Sequence, residues 1–353
     1  MKKWLYTTAA LLTLGGGHRA MAQAPQAVTT APVVLNDQYI DYGADNCRRG
    51  SLIAEVGFMI LTPKWKDNPA FFIDQFPGDR NLSNQRDFDF SQQFVPKLSL
   101  GFIGSGGLGA RINWWGFASS RTESFGIPTP DPTDFELTPV GPLEIQEFNF
   151  LFADDPGDVI VARGKLRFDV WDFEAVDSFQ AGNWSLLGSL GVRYVHISQR
   201  YDVDVLPGPP SVDTGYGSLR SGHNFNGAGP TVSLDGRRMI GNSSLFLYGN
   251  GRASVLFGDA KQDAHAIGGF DDPSSFTMQA HAVVAATELE VGAGWARDMG
   301  RMRVSAKAGF VGQVWFDAGN SARATGNDNA DMTGPQDGNL GLVGWTLNLG
   351  IGY

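Results

Sequence analysis

The sequence predicts an all-β fold: a transmembrane antiparallel up-and-down β-barrel of about ten strands, with long extracellular loops and short periplasmic turns. Three observations lead there. At the C-terminus, Val343, Trp345, Leu347, Leu349, Ile351 and Tyr353 share one face of an extended strand, and Gly344, Thr346, Asn348, Gly350 and Gly352 share the other. Alternation over about ten residues fits a strand tilted across a bilayer, apolar toward lipid and small or polar toward the lumen. At the N-terminus, Lys2 and Lys3, an apolar stretch from Trp4 to Leu14 and the Ala20-Met21-Ala22 site form a secretory signal, which a soluble cytosolic chain does not need. In between, no segment reaches the roughly 18 uninterrupted apolar residues of a spanning helix. A chain that enters the bilayer without such helices has to satisfy every backbone group by strand pairing in a closed barrel.

Residues 1–22 are thus expected to be a cleaved signal peptide, residues 23–50 a periplasmic leader rich in Ala, Pro, Gln and Asn, and residues 51–353 the barrel. Loss of the signal removes Lys2, Lys3 and Arg19 and no acid, so the net charge goes from −10 to −13. That balance argues against a nucleic-acid partner. The 46 glycines and 12% aromatic residues suit many short strands and tight turns. Cys47 is the only cysteine, so no internal disulfide is open to the chain and closure of the sheet has to supply the stability. Pairing between chains or a buried thiol are both open to Cys47.

Period-two stretches then recur along the chain. The first contains Leu52, Ala54, Val56, Phe58 and Ile60, the second Leu98, Leu100 and Phe102, and the third Leu108, Ala110, Ile112 and Trp114. Leu166, Phe168 and Val170 mark a fourth, and Trp184, Leu186, Leu190, Val192 and Tyr194 a fifth. A weaker strand over 224–235 is followed by Leu245 to Phe257, Val283 to Trp295, Val304 to Phe316 and the terminal strand, which makes ten. Connectors at 105–107, 177–183, 236–242 and 298–300 are short, whereas those at 62–87, 119–162, 201–223, 258–279 and 317–340 are long and polar. This alternation is the asymmetry of an outer-membrane barrel with both termini in the periplasm. The segment 143–152 has strand-like content outside this count, as a hairpin arm or part of an extra pair that would make twelve.

Phe102-Ile-Gly-Ser-Gly-Gly-Leu-Gly-Ala-Arg-Ile-Asn-Trp-Trp115 resembles an early hairpin of the Legionella-type major outer-membrane-protein family. Leu166–Glu174 with Gly191–Tyr194 is similar to its central strand pair, and Phe225–Pro230 and Ser254–Gly258 to later strands. The resemblance covers roughly residues 50 to 353 through the order of its motifs. It implies an outer-membrane barrel with porin-like activity and no catalytic residues; the single cysteine departs from cysteine-linked relatives.

With the apolar face of each strand turned to lipid, Lys97, Arg111, Lys165, Arg167, Arg193, Arg252, Arg303 and Lys307 are expected to point inward, with Glu55, Asp169, Glu288 and Glu290. Eight cations against four anions make a lumen of +4, and basic rings favour anions. The competing expectation is that opposite charges pair and plug a narrow barrel. Trp114, Trp184, Trp295 and Trp345 fall outward near strand ends, the positions of an interfacial girdle, and Trp115 and Trp315 also lie near ends. Leu349, Ile351 and Tyr353 form an assembly signal for the barrel-assembly machinery.

Gly104-Ser-Gly106-Gly-Leu-Gly109 matches a dinucleotide fingerprint, but a strand follows it where that site needs a helix. The loop 326–331 misses the calcium-loop pattern, and no metal or other cofactor is expected. The chain is therefore expected to pass small hydrophilic solutes or ions by passive diffusion, with mild anion preference, and to be no enzyme. The alternatives are a closed structural or adhesion barrel acting through its loops, or a rim protease of the omptin type using Asp154, Asp155, Asp158, Asp202, Asp204, Asp259, Asp271, Asp272, His223 and His265. The phospholipase pattern fails at His196 and His281, neither of which has an evident serine partner.

Overall fold

The computed structural model describes residues 51–65, 68–76, 82–129, 134–139, 153–208, 217–267, 273–321 and 338–353. The signal peptide, the leader, Cys47, Asp271, Asp272, the whole of 140–152 and the loop 326–331 lie outside the described residues. Among the described residues thirteen strands follow in order. They are β1 (Ser51–Trp65), β2 (Pro69–Gln75), β3 (Leu82–Asp87), β4 (Gln93–Ile103), β5 (Leu108–Gly126), β6 (Phe135–Pro139), β7 (Val159–Ala181), β8 (Trp184–Leu206), β9 (Gly217–Met239), β10 (Leu245–Ile267), β11 (Ser274–Met299), β12 (Met302–Phe316) and β13 (Leu340–Gly352).

Ten of them close a barrel in the order β1-β13-β12-β11-β10-β9-β8-β7-β5-β4, every pair antiparallel. The terminal strand seals it: β13 pairs with β12 on one side and with β1 on the other, from Ile53↔Gly352 to Trp65↔Leu340. The periplasmic turns are tight because each holds a glycine at positive φ: Gly107 (88°), Gly182 (61°), Gly241 (58°) and Gly300 (67°). In the two-residue turns after β7 and β11 the glycine takes the first central position, the type II′ geometry that matches strand twist.

The strands are much longer than a bilayer requires. β7 to β10 have 23 residues each and β11 has 26, against about 9–11 for a tilted crossing. Segments 201–223 and 258–279, expected as loops, are largely strand. The outer face changes character along them. Trp171, Tyr194, Ala228, Phe257 and Val283 are outward and apolar, and two residues further toward the extracellular end their neighbours are Asp169, His196, Asn226, Asp259 and His281. Those five are consecutive cross-strand partners on β7 to β11, a polar seam above which the outer wall is mainly polar until its upper edge, where Leu206 and Ile267 are exposed.

The seam corrects the phase expected for β7. Leu166, Phe168 and Val170 are buried inside the barrel, and Lys165, Arg167 and Asp169 lie on the outer face. Above the seam the outer wall meets polar surroundings, headgroups and then water, so apolar side chains turn inward; below it the wall meets acyl chains, so Trp171 and Phe173 turn outward and Asp172 and Glu174 inward.

β2, β3 and β6 form a separate three-stranded sheet in the order β3-β2-β6. It packs over the extracellular mouth: Ala70, Phe71 and Leu137 are buried with Ile160, Ala162, Val203 and Leu219 of the upper barrel wall. The Tyr201 hydroxyl donates to the Ala70 carbonyl at 2.6 Å.

Candidate functional site: a layered lumen

The alternation of ten strands stacks the inward side chains in layers. In the periplasmic half the layer is charged. Asp172 and Arg193 are cross-strand neighbours on β7 and β8 and form a two-pronged pair, Nε to Oδ1 at 2.6 Å and an Nη to Oδ2 at 3.0 Å. Arg252 of β10 reaches across the lumen to Asp172 at 3.4 Å and also bonds Glu174. Glu174 accepts from Arg111 at 2.8 Å, Asn113 at 2.8 Å and the Ser189 hydroxyl at 2.8 Å. Arg111 continues to Asp235 at 3.0 Å, and Asn250 also donates to Asp235. On the opposite side Lys97 bonds Glu290 at 3.2 Å, Tyr248 donates to Glu290 at 2.9 Å, and Lys307 pairs with Glu55 at 2.6 Å. Glu288 accepts from Gln313 at 3.2 Å and lies 3.9 Å from Arg193.

Close backbone approach makes room for this layer. A Cβ at Gly309 would lie 2.5 Å from the Tyr248 hydroxyl oxygen, and one at Gly292 would lie 2.8 Å from the ring. The two glycines let the ring lie against β11 and β12 and aim its hydroxyl at Glu290. The layer lines a cavity of about 90 Å³, whose floor at the periplasmic end includes Ile53, Ile103, Val176 and Leu187.

Glu55, Lys97, Arg111, Arg193, Arg252, Glu288, Glu290, Arg303 and Lys307 thus face the lumen. Arg167 and Asp169 do not: they bond each other at 3.2 Å on the outer wall, where Asp169 also accepts from the Trp114 indole at 3.1 Å. Asp172, Glu174, Asp235 and Arg237 were missed. Their signal was present in Trp171-Asp-Phe173-Glu, where two acids alternate with two aromatics. With them included, the lower lumen holds Lys97, Arg111, Arg193, Arg237, Arg252, Arg303 and Lys307 against Glu55, Asp172, Glu174, Asp235, Glu288 and Glu290. The near balance replaces the excess of +4.

Immediately above, the lumen is filled with apolar side chains. Met59, Val95, Trp115, Phe168, Ile197, Phe225, Leu256, Val284, Trp315 and Leu342 belong to one buried cluster, and each comes from a different barrel strand. Trp115, Phe168 and Trp315 meet with ring centroids 5.1 to 6.2 Å apart, and all are at most 3% exposed. The Arg193 guanidinium lies 5.8 Å from the Trp315 ring, a cation–π contact joining the two layers. Trp115 and Trp315 are therefore interior, whereas Trp114, Trp184, Trp295 and Trp345 lie on outward positions. Leu349, Ile351 and Tyr353 are exposed on the outer face, and Tyr353 exchanges backbone bonds with Leu52.

Over the apolar layer lie buried polar groups. Gln199 donates to the carbonyls of Ala318 and Gly319 at 2.9 and 3.0 Å, which tucks the start of the β12–β13 connection into the mouth. His223 is buried there, with no carboxylate at ion-pair distance among the described residues. His265 is exposed, His281 pairs with Asp259 at 2.8 Å on the outer wall, and His196 bonds Asn226 there at 2.7 Å. Asp202 and Asp204 pair outside with Lys165, Arg163 and Arg220. Asp154, Asp155 and Asp158 cluster in a turn, where partial burial and the two neighbouring carboxylates raise the Asp154 carboxyl above its usual range. No rim acid is brought to a histidine inside the mouth among the described residues.

A family model described as Legionella pneumophila major outer membrane protein precursor matches residues 47–352. No curated protein matches the chain. Similar solved structures include the outer membrane protease OmpT from Escherichia coli, at 13% identity and TM-score 0.41, over 86% of this chain and 96% of that one. A FadL homologue of Pseudomonas aeruginosa matches at 11% identity and TM-score 0.25, over 86% and 90%. The toluene transporter TodX of P. putida matches at 7% and 0.21, over 86% and 89%. The expectation that the chain is no enzyme is withdrawn, because an outer-membrane protease is among the structures it matches. At these TM-scores the matches transfer no activity.

Proposed function

Because the chain belongs to the family of the Legionella pneumophila major outer membrane protein, we propose that it is a closed outer-membrane barrel that acts at its extracellular end, as a structural or adhesive surface. The observation that carries this reading is the apolar layer supplied by all ten barrel strands. A hydrated ion or sugar crossing it would lose its water without gaining hydrogen-bond partners, a cost of several kcal/mol per polar group. The charged layer beneath is engaged in internal pairs instead of forming rings of one sign. Passive diffusion is accordingly the less supported reading, and with it anion preference.

The extracellular end is built up: strands run well above the polar seam and carry a second sheet across the mouth. Lipid-facing Trp114, Trp184, Trp295 and Trp345 fit interfacial anchors. The exposed edge of Leu349, Ile351 and Tyr353 fits a contact for the assembly machinery.

Single-channel recording of the refolded protein under a KCl gradient tests the reading. The expected result is silence from the folded wild type and discrete steps from W115A/F168A/W315A, whose combined truncation removes the centre of the layer. Stable steps from the wild type would overturn it.

A further inference from the structure

We propose that Lys165, Arg167 and Arg200 form a docking patch on the outer wall for the phosphate groups of outer-leaflet glycolipid. Lys165 and Arg200 are direct cross-strand partners on β7 and β8, and Arg167 is the next outward residue on β7. The three cations therefore share one small area of the wall. Their side chains serve no interior purpose, since the core on these strands is made by Leu166, Phe168, Ile197 and Gln199 on the opposite face.

Their height identifies the occupant. Below Arg167 on the outer face come Asp169, in the seam, and then Trp171, Phe173 and Tyr194 on the lipid-facing strip. The Trp171 ring lies 6.0 Å from Trp114 and 6.5 Å from Phe173, an aromatic cluster of the kind that marks a membrane interface. Arg167 is four residues above Trp171, about 13 Å along the strand at ~3.3 Å per residue. Strand tilt reduces this to roughly 10 Å along the membrane normal, and to roughly 15 Å for Lys165 and Arg200 one row higher, a span that matches the headgroup layer.

The cations are also available. Arg167 and Lys165 are 66% and 54% exposed, and each has one long carboxylate contact, Arg167 to Asp169 at 3.2 Å and Lys165 to Asp202 at 3.4 Å, which leaves guanidinium and ammonium donors over. Arg200 is exposed, with no acidic partner among the described residues. One row higher the pattern differs: Arg163 and Arg220 bond opposite oxygens of Asp204 and are occupied. Guanidinium groups bind phosphate oxygens through paired N–H donors, and acyl chains beneath a docked phosphate would lie on Trp171, Phe173 and Tyr194. A chain of net charge −10 that keeps three cations together at this depth is complementary to an anionic headgroup layer.

The test uses the full chain folded in zwitterionic detergent, with bound lipid counted by native mass spectrometry. The probes are bisphosphorylated lipid A and lipid A stripped of both phosphates. The wild type is expected to retain the phosphorylated form about tenfold better, and K165E/R167E/R200E to lose that preference, on the scale of charge–headgroup interactions. R167K/R200K should keep most of it. Heat-modifiable gel migration reports folding, and R200E alone carries the test if the triple variant does not fold. Equal retention of both lipids by the wild type, or undiminished preference in the folded charge-reversed variant, would overturn the proposal. So would full competition by millimolar inorganic phosphate, which would identify a free-anion site.

Discussion

Glu174 concentrates the logic of the lower lumen in one side chain. It is fully buried, and its two oxygens accept from Arg111, Arg252, Asn113 and Ser189 on three other strands. Removing one member of such a network strands the others: Glu174→Gln leaves Arg111 and Arg252 short of a counter-charge in a buried layer, a loss of about 3 kcal/mol or more. Urea unfolding followed by tryptophan fluorescence should show it as a lower midpoint, whereas Arg163→Gln on the exposed wall should leave the midpoint within error. Gly182 is a second such position. At φ 61°, alanine in its place costs about 1–2 kcal/mol, and the same assay reads it. The sequence makes part of this layer legible. Glu55, Lys97, Arg111, Arg193 and Arg252 each stand opposite an apolar face on the part of the strand whose outward side meets lipid. The pairing among them is not legible, because it depends on which strands lie across the barrel from one another.

At the scale of the element, β7 explains where sequence reasoning fails. Its period of two is unbroken for 23 residues, but the meaning of the two faces reverses at the seam. Arg167 and Phe168 obey the rule for a wall in water, apolar inward; Asp172 and Phe173 obey the rule for a wall in lipid, apolar outward. A single rule applied along the whole strand inverts half of it. The same reversal hides the upper parts of β8, β9 and β10, where Val203, Leu219 and Ala264 point inward among polar neighbours that read as loop. The strand count survives, since it rests on the alternation of short and long connectors and needs no facing. Paired cysteine variants, made with Cys47→Ser, separate the two faces: in the protein folded in detergent a water-soluble maleimide should label R167C rapidly and F168C little. The opposite ranking would restore the inward phase of Arg167 and dismiss the seam.

For the whole molecule, the stack of layers makes the two ends of the barrel unequal. From the periplasm a solute meets the small cluster of Ile103, Val176 and Leu187, then the charged cavity, then Trp115, Phe168 and Trp315; from outside it meets the three-stranded sheet and the tucked-in connection held by Gln199. A position within the cavity should then react from one side only. Ser99 on β4 lines the cavity below the apolar layer, and it takes cysteine with little change of volume. In intact cells, a membrane-impermeant thiol reagent too large for the general porins should leave S99C unmodified, and the same reagent should modify it once the periplasm is opened. Combining S99C with W115A/F168A/W315A should allow labelling from outside if the apolar layer is the barrier. If labelling from outside stays blocked, the extracellular cap is a second, independent seal. Rapid labelling of S99C alone in intact cells would mean that the layer opens on the timescale of the reaction, and that closure describes an average rather than a barrier.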